Sequence, residues 1–239
     1  MAEPLFSVRG LCSGYGDIQV LWDIDIHLAE GEITCIVGSN GAGKTTLLNT
    51  IAGLVPATGG RVSFHGQDLT RAKPHEVLDA GIALVPEGRR LFKGLSVRDN
   101  LLLGAFLRRE PAAAIERDID FVCSIFPILK ERHKQDATTL SGGEQQMCAI
   151  GRGIMSRPKL LLIDELSLGL APRAVDRICE ALTEINQTGI SVLLVEQDVM
   201  TAFELAENAF VVETGRIRIS GKTDELSDNA DIRQAYFGF

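Results

Sequence analysis

The sequence has no uninterrupted apolar run near the roughly 18 to 20 residues that a bilayer-spanning helix needs, so it is not expected to cross a membrane by itself. It also has no surplus of positive charge, with 24 Lys plus Arg against 32 Asp plus Glu and a formal net charge of −8. That balance excludes a chain-wide basic field for a nucleic-acid backbone, and any anionic ligand must be held by a local device. The five cysteines, Cys12, Cys35, Cys123, Cys148 and Cys179, form no CxxC pair, and no His stands at metal-ligand spacing from them. They read as small buried apolar residues in a reducing compartment. The opening Met1-Ala2-Glu3-Pro4 has no basic segment ahead of an apolar stretch, so no secretory signal is expected and the cytoplasm is the default address. Repeats and low-complexity stretches are missing as well. With 45% hydrophobic and 23% charged residues in a chain of 239, disorder is excluded as the main state, and one large α/β domain, with two lobes, is expected.

What is present is a succession of short apolar runs. Leu5, Phe6 and Val8, then Trp22, Ile24, Ile26 and Leu28, alternate as strands do and predict an antiparallel opening sheet. The run Ile33-Thr34-Cys35-Ile36-Val37 predicts a strand buried on both faces, with further buried strands over 82–85, 160–163 and 190–195 and an alternating segment over 210–219. Leu47, Leu48, Ile51 and Leu54 fall at helical spacing, with Gly53 near the expected end. From about residue 96 to 156 the pattern turns helical, and Ser96-Val97-Arg98-Asp99 reads as a capping box for a helix bearing Leu102, Leu103, Phe106 and Leu107. Strands alternating with helices elsewhere predict a mostly parallel sheet covered on both faces.

Three motifs carry chemistry. Gly38-Ser39-Asn40-Gly41-Ala42-Gly43-Lys44-Thr45-Thr46 fits the G-x-x-x-x-G-K-[ST] phosphate loop, in the required setting between a strand and a helix. Its glycines let successive amides point inward, and the new helix adds its positive end. Lys44 would reach the β- and γ-phosphates, and Thr45 would offer an oxygen to Mg²⁺. Leu160-Leu161-Leu162-Ile163-Asp164-Glu165 brings two acids to the end of a buried strand. There Asp164 suits Mg²⁺ and Glu165 can polarise a water, although two acids also suit a helix start with no chemistry. Leu140-Ser141-Gly142-Gly143-Glu144-Gln145-Gln146 is a third anion-seeking helix start, which spacing alone does not separate from a simple cap.

With LSGGEQQ in view, the chain resembles the ATP-binding-cassette (ABC) ATPases over nearly its whole length. The resemblance implies a P-loop NTPase core with a mostly parallel sheet, an N-terminal antiparallel β subdomain and an inserted α-helical subdomain. On that reading residues 1–239 form one domain, with a core lobe of 1–88 and 157–239 and a helical, signature-bearing lobe of 89–156. It implies that Tyr15 stacks on adenine, although a plain turn aromatic would look the same. The backbone of residues 41–46 with Lys44 would hold the phosphates, and Thr45, Asp164 and Glu87 would surround Mg²⁺. Glu165 would act as base. Ser141, Gly142, Gly143 and Glu144 would act in trans on a nucleotide bound by a second cassette, and Ser167-Leu168-Gly169-Leu170 would cross the interface between them.

Three positions depart from the wider family pattern. Glu87, in Val85-Pro86-Glu87-Gly88-Arg89-Arg90, stands where most members have Gln and adds a negative charge. Gln197 stands where most have a switch His; it can contact the γ-phosphate as a donor but cannot carry a proton, which implies slow hydrolysis. Leu166 replaces a Pro and bears on the turn. VPEGRR, VEQ, SLGLAP and Ile232-Arg233-Gln234-Ala235-Tyr236-Phe237-Gly238 together resemble the LivF-like subfamily of branched-chain amino-acid importers. Importers of urea or short amides use close relatives. The resemblance implies ATP and Mg²⁺ as cofactors and a second ABC ATPase as partner, in a heterodimer rather than a homodimer. It further implies two transmembrane permeases, a substrate-binding protein met indirectly, no nucleic acid, and a peripheral position on the cytoplasmic face of the inner membrane. Arg89, Arg90, Leu91 and Phe92 are candidate permease contacts, or, for the two arginines, solvated charges. A clamp with little hydrolysis of its own is the alternative to an ATPase. A soluble relative working on DNA or ribosomes would need tandem cassettes, a long coiled coil or basic arms, none of which is visible.

Overall fold

The computed structural model describes residues 4–229; residues 1–3 and the segment 232–238 that contributed to the LivF-like resemblance lie outside the described residues. Strands β1 (Phe6–Tyr15) and β2 (Ile18–Leu28) pair antiparallel, and β4 (Ala57–Phe64) and β5 (Gln67–Asp68) extend them into a sheet of order β2-β1-β4-β5. The second sheet runs β10-β9-β3-β8-β7-β6. Its parallel part joins β3 (Ile33–Val37), β6 (Ile82–Val85), β7 (Leu160–Asp164), β8 (Ser191–Glu196) and β9 (Asn208–Glu213), and β10 (Arg216–Lys222) returns antiparallel on the edge.

Two-residue periodicity divides these strands between two cores. Cys35, Val37, Leu161, Ile163, Val192 and Leu194 face one cluster, and Ile36, Leu160, Leu162, Leu193 and Val195 face the other with Phe6 and Leu47. The first face is covered by the helices between β6 and β7, namely α3 (Val97–Gly104), α4 (Ala112–Ile125), α5 (Pro127–Glu131) and α6 (Gly142–Ile154), together with α7 (Pro172–Gln187) and α8 (Val199–Leu205). The second face receives α1 (Lys44–Ile51), α2 (Pro74–Ala80) and the antiparallel sheet. A short helix α9 (Thr223–Ser227) follows β10. Each apolar side chain buried this way contributes about 1.5–3 kcal/mol of transfer free energy, so polar residues in β3, β7 and β8 must be held by hydrogen bonds. Four are present. Thr34 donates to Glu32 at 3.1 Å, and Ser191 accepts from the Gly31 amide at 2.8 Å. The other two, Asp164 and Glu196, end their strands at the sheet's carboxyl edge.

The antiparallel opening, the strand buried on both faces and the helical stretch match the sequence reading, and the 210–219 segment resolves into the hairpin β9–β10 around Thr214 and Gly215. Two helices are shorter than their spacing predicts. α1 stops at Ile51, because Gly53 turns at φ +73° where a Cβ would lie 2.6 Å from the Ala72 carbonyl oxygen, and Leu54 is thrown 56% exposed. α3 ends at Gly104, where a Cβ would collide with the Arg152 carbonyl oxygen on α6. Val97 and Leu101 are its buried apolar face, Leu103 is exposed, and Phe106 beyond the helix is 80% exposed. The cysteines are free thiols, Cys35, Cys123 and Cys148 buried and Cys12 and Cys179 partly so, and burial pushes the Cys35 and Cys148 thiols up to about 12.

Candidate functional site

Between β3 and α1 the chain winds through Gly41 at φ +81° and Gly43 at φ +103°, a curl that L side chains resist. The loop is pressed against its surroundings: a Cβ on Gly38 would collide with the Val212 carbonyl oxygen of β9, and one on Gly43 would lie 3.0 Å from Leu21 of β2. The turn of the β9–β10 hairpin ties the loop to β2. The Gly215 amide donates to the Ala42 carbonyl at 2.9 Å, while the Gly215 carbonyl accepts from the Trp22 amide at 2.8 Å. Ser39 accepts from the Ala42 amide at 3.1 Å, closing the loop on itself.

A cavity of about 440 Å³ opens over this loop. Asn40, Gly41, Gly43, Lys44, Thr45 and Thr46 line it from below, and Glu87 after β6 and Glu165 after β7 line it from the side. Lys44 is buried, and its Nζ donates to the carbonyls of Gly38 at 2.8 Å and Ser39 at 3.2 Å, lying 3.8 Å from Glu165 Oε1. The Thr45 hydroxyl donates to Asp164 Oδ1 at 3.2 Å. Burial pushes the Asp164 carboxyl up to about 6; Glu87 and Glu165 add to that rise, and the Thr45 hydroxyl and Lys44 oppose it.

This donor set consists of oxygens and is incomplete. Among the described residues no group of three or more His, Cys, Asp or Glu could hold a metal ion. A hydroxyl, one buried carboxylate and a second acid at the rim fit Mg²⁺, which takes one or two carboxylates and completes its shell with water and phosphate oxygens. Glu165 sits at φ +55°, strained for a residue with a side chain, and its amide donates to the Val195 carbonyl at 3.0 Å.

The other expected site residues lie outside this cavity. Tyr15 ends β1 beside Ile18 and is 51% exposed. Gln197 follows β8 with its side chain exposed, and its amide donates to Glu196 Oε2 at 3.0 Å. Ser141, Gly142, Gly143 and Glu144 open α6 away from the loop. Ser141 caps the helix, and a reciprocal capping box, with the Ser141 hydroxyl as the main cause, holds the Glu144 carboxyl below its usual range. Gly143 lets α6 and α7 meet, since a Cβ there would lie 2.7 Å from Ala174 Cβ.

Two features were not anticipated. Glu196 is buried and accepts from both the amide and the hydroxyl of Ser167; its only trace in the sequence is an acid closing the otherwise apolar run of β8. Arg152 on α6 spans two carbonyls, donating to Arg90 at 2.8 Å and Arg89 at 3.0 Å, and its guanidinium lies 5.4 Å from the centre of the Phe92 ring. Both arginines have positive φ, +64° and +44°, so the fork holds a strained turn. Arg89 is half-buried and donates onward to the Leu168 carbonyl at 3.3 Å. Phe92, Leu54, Leu103 and Phe106 wall an open apolar groove of about 560 Å³ beside this turn.

The ABC transporter family profile matches residues 21–167. The high-affinity branched-chain amino acid transport ATP-binding protein BraG of Pseudomonas aeruginosa is 44% identical over 224 residues, covering 94% of this chain and 95% of that protein. BraF of the same organism, with the same description, is 27% identical over 255 residues, covering 100% and 99%. A solved ATP-binding cassette of an ABC transporter superposes with a TM-score of 0.88 at 25% identity over 98% of this chain and 99% of that one. With a strand-loop-helix phosphate cradle, two acids at the end of the neighbouring strand, and these likenesses, the chain belongs to the ABC transporter family as an ATP-binding cassette.

Proposed function

We propose that this chain is the ATP-hydrolysing subunit that powers an importer of branched-chain amino acids. The observation that carries the chemistry is the convergence of Lys44, Thr45 and Glu165 on one cavity from two strand ends, with the buried Asp164 held behind it by the Thr45 hydroxyl. The 44% identity to BraG supports the substrate class.

Lys44 and the amides of residues 41–46 bind and orient the β- and γ-phosphates, and Tyr15 offers its ring to the adenine. Thr45, Asp164 and Glu87 would hold Mg²⁺, which supplies charge neutralisation on the phosphate oxygens. Glu165 accepts a proton from the water that attacks the γ-phosphorus, and Gln197 donates a hydrogen bond toward that phosphate. Ser141, Gly142, Gly143 and Glu144 act on the nucleotide of an opposing cassette, so ATP draws two cassettes together and hydrolysis releases them.

The opposing cassette is a distinct chain; BraG and BraF, both from one organism and both described as ATP-binding proteins of this transport, support that arrangement. The groove beside Phe92 receives a segment of a permease, two of which span the membrane with this chain on their cytoplasmic face. A substrate-binding protein delivers the amino acid. Among the described residues no helix is long and apolar enough to cross a membrane.

The test is ATP turnover and leucine, isoleucine and valine uptake by the reconstituted transporter, with urea and acetamide as controls. Glu165→Gln should lower turnover by a factor of at least 100 and preserve ATP-driven association of the two cassettes. One observation favours a second reading: Gln197 has an exposed side chain and cannot take a proton. A clamp whose partner hydrolyses ATP would keep full transport with Glu165→Gln in this chain alone.

A further inference from the structure

Glu196 ends β8 at 1% exposure with no cation beside it among the described residues. Its carboxylate is instead shared among three donors. Oε1 accepts from the Ser167 amide at 2.7 Å, and Oε2 accepts from the Ser167 hydroxyl and the Gln197 amide, both at 3.0 Å. Burying an acid is unfavourable, and here it raises the carboxyl's pKa against the pull of these hydrogen bonds. An apolar residue at this position would pack without that cost, yet could not join the loop after β7 to the loop after β8.

The joint has a second rung. The Glu165 amide donates to the Val195 carbonyl at 3.0 Å, so the strained Glu165 is held by its own amide and, two residues later, by Ser167. Leu166 between them is buried. Beyond Ser167 the turn closes through the Leu170 amide to the Ser167 carbonyl at 3.1 Å and presents Leu168 to solvent. One buried carboxylate therefore sets the root of the exposed turn and the backbone of Gln197 while bracketing the side chain that faces Lys44.

We propose that Glu196 is a positioning residue: it binds the turn of residues 167–170 and Gln197 into one frame around Glu165, so that the phosphate contact, the base and the segment facing the second cassette move together. The proposal rests on the roles given above to Glu165 and Gln197. It predicts a loss in the reaction step with little loss in nucleotide binding, because the Glu196 carboxylate spends its hydrogen bonds on Ser167 and Gln197 and not on the phosphate loop.

The experiment compares Glu196→Gln, Ser167→Ala and the double variant in the reconstituted transporter, reading kcat and KM for ATP, and ATP-driven cassette association in a Glu165→Gln background. Gln keeps the shape but offers a single acceptor oxygen and turns an amino group toward a donor. Expected are a kcat reduced about tenfold by Glu196→Gln and about threefold by Ser167→Ala, KM within twofold, weaker association, and a double variant no slower than Glu196→Gln. The proposal is overturned if kcat stays within twofold in Glu196→Gln, if KM rises as much as kcat falls, or if the two losses multiply. Should Glu196→Gln fail to fold, Ser167→Ala decides alone, and an unchanged kcat overturns the proposal. A wild-type turnover that survives Glu165→Gln removes the underlying reading, and this proposal with it.

Discussion

Lys44 Nζ lies 3.8 Å from Glu165 Oε1 while donating to two carbonyls of its own loop. The cation of one strand-loop-helix unit and the acid that follows a different strand therefore share one small volume. Lys44→Met would leave Glu165 without its counter-charge and the loop carbonyls without a donor. Nucleotide affinity should fall at least 100-fold, read by titration with a fluorescent ATP analogue.

Asp164 gives a pH prediction. Its folded pKa, about 6, lies above its ordinary value of 3.8, so its contribution favours the fold below about pH 4 and is lost as pH rises through 6. Asp164→Asn should therefore stabilise the nucleotide-free protein at pH 8 by about 1–3 kcal/mol and have little effect at pH 4. The same variant should lose the extra stabilisation that Mg²⁺ adds to ATP. Urea unfolding at the two pH values, with and without Mg·ATP, measures both effects.

Gly104 is where α3 touches α6. A Cβ there meets the backbone oxygen of Arg152, which cannot swing aside as a side chain would. Gly104→Ala should cost about 2–3 kcal/mol in overpacking and backbone shift, seen as a lowered urea midpoint.

The groove wall can be tested without touching the fold. Phe106 is 80% exposed and Leu54 is 56% exposed. Phe106→Glu and Leu54→Asp should leave the melting temperature within about 2 °C, since surface changes stay within about 0.5 kcal/mol. Co-purification with the permeases should nevertheless be abolished, with ATP affinity unchanged.

The parts most legible from sequence were those whose cause is local. The strand before Gly38, the glycine-rich curl, the capping box at Ser96, the helix start capped by Ser141 and the acids after Ile163 each lie within a few residues of what makes them form. β4 was not legible, because Gly59 and Gly60 weaken any strand signal. It forms by pairing with β1, and Gly60 is required where the two backbones come close enough that a Cβ would collide with the Gly10 carbonyl. Leu54 and Phe106 extend a helical spacing past the point where the helix stops: Gly53 turns the chain at φ +73° after α1, and α3 ends at Gly104, where it lies against the Arg152 carbonyl of α6. Glu196 was missed because its partner Ser167 is 29 residues away, and no spacing rule relates a strand's last residue to a turn after its neighbour.

The chain holds a single tryptophan, Trp22, and its amide reaches the phosphate loop through one residue, Gly215. Its ring is partly exposed, with the Arg216 guanidinium 5.6 Å from its centre. A shift of the loop around Ala42 on filling the cavity should therefore disturb the surroundings of the one strong native fluorophore, and its emission, followed without a label during ATP titration, checks this.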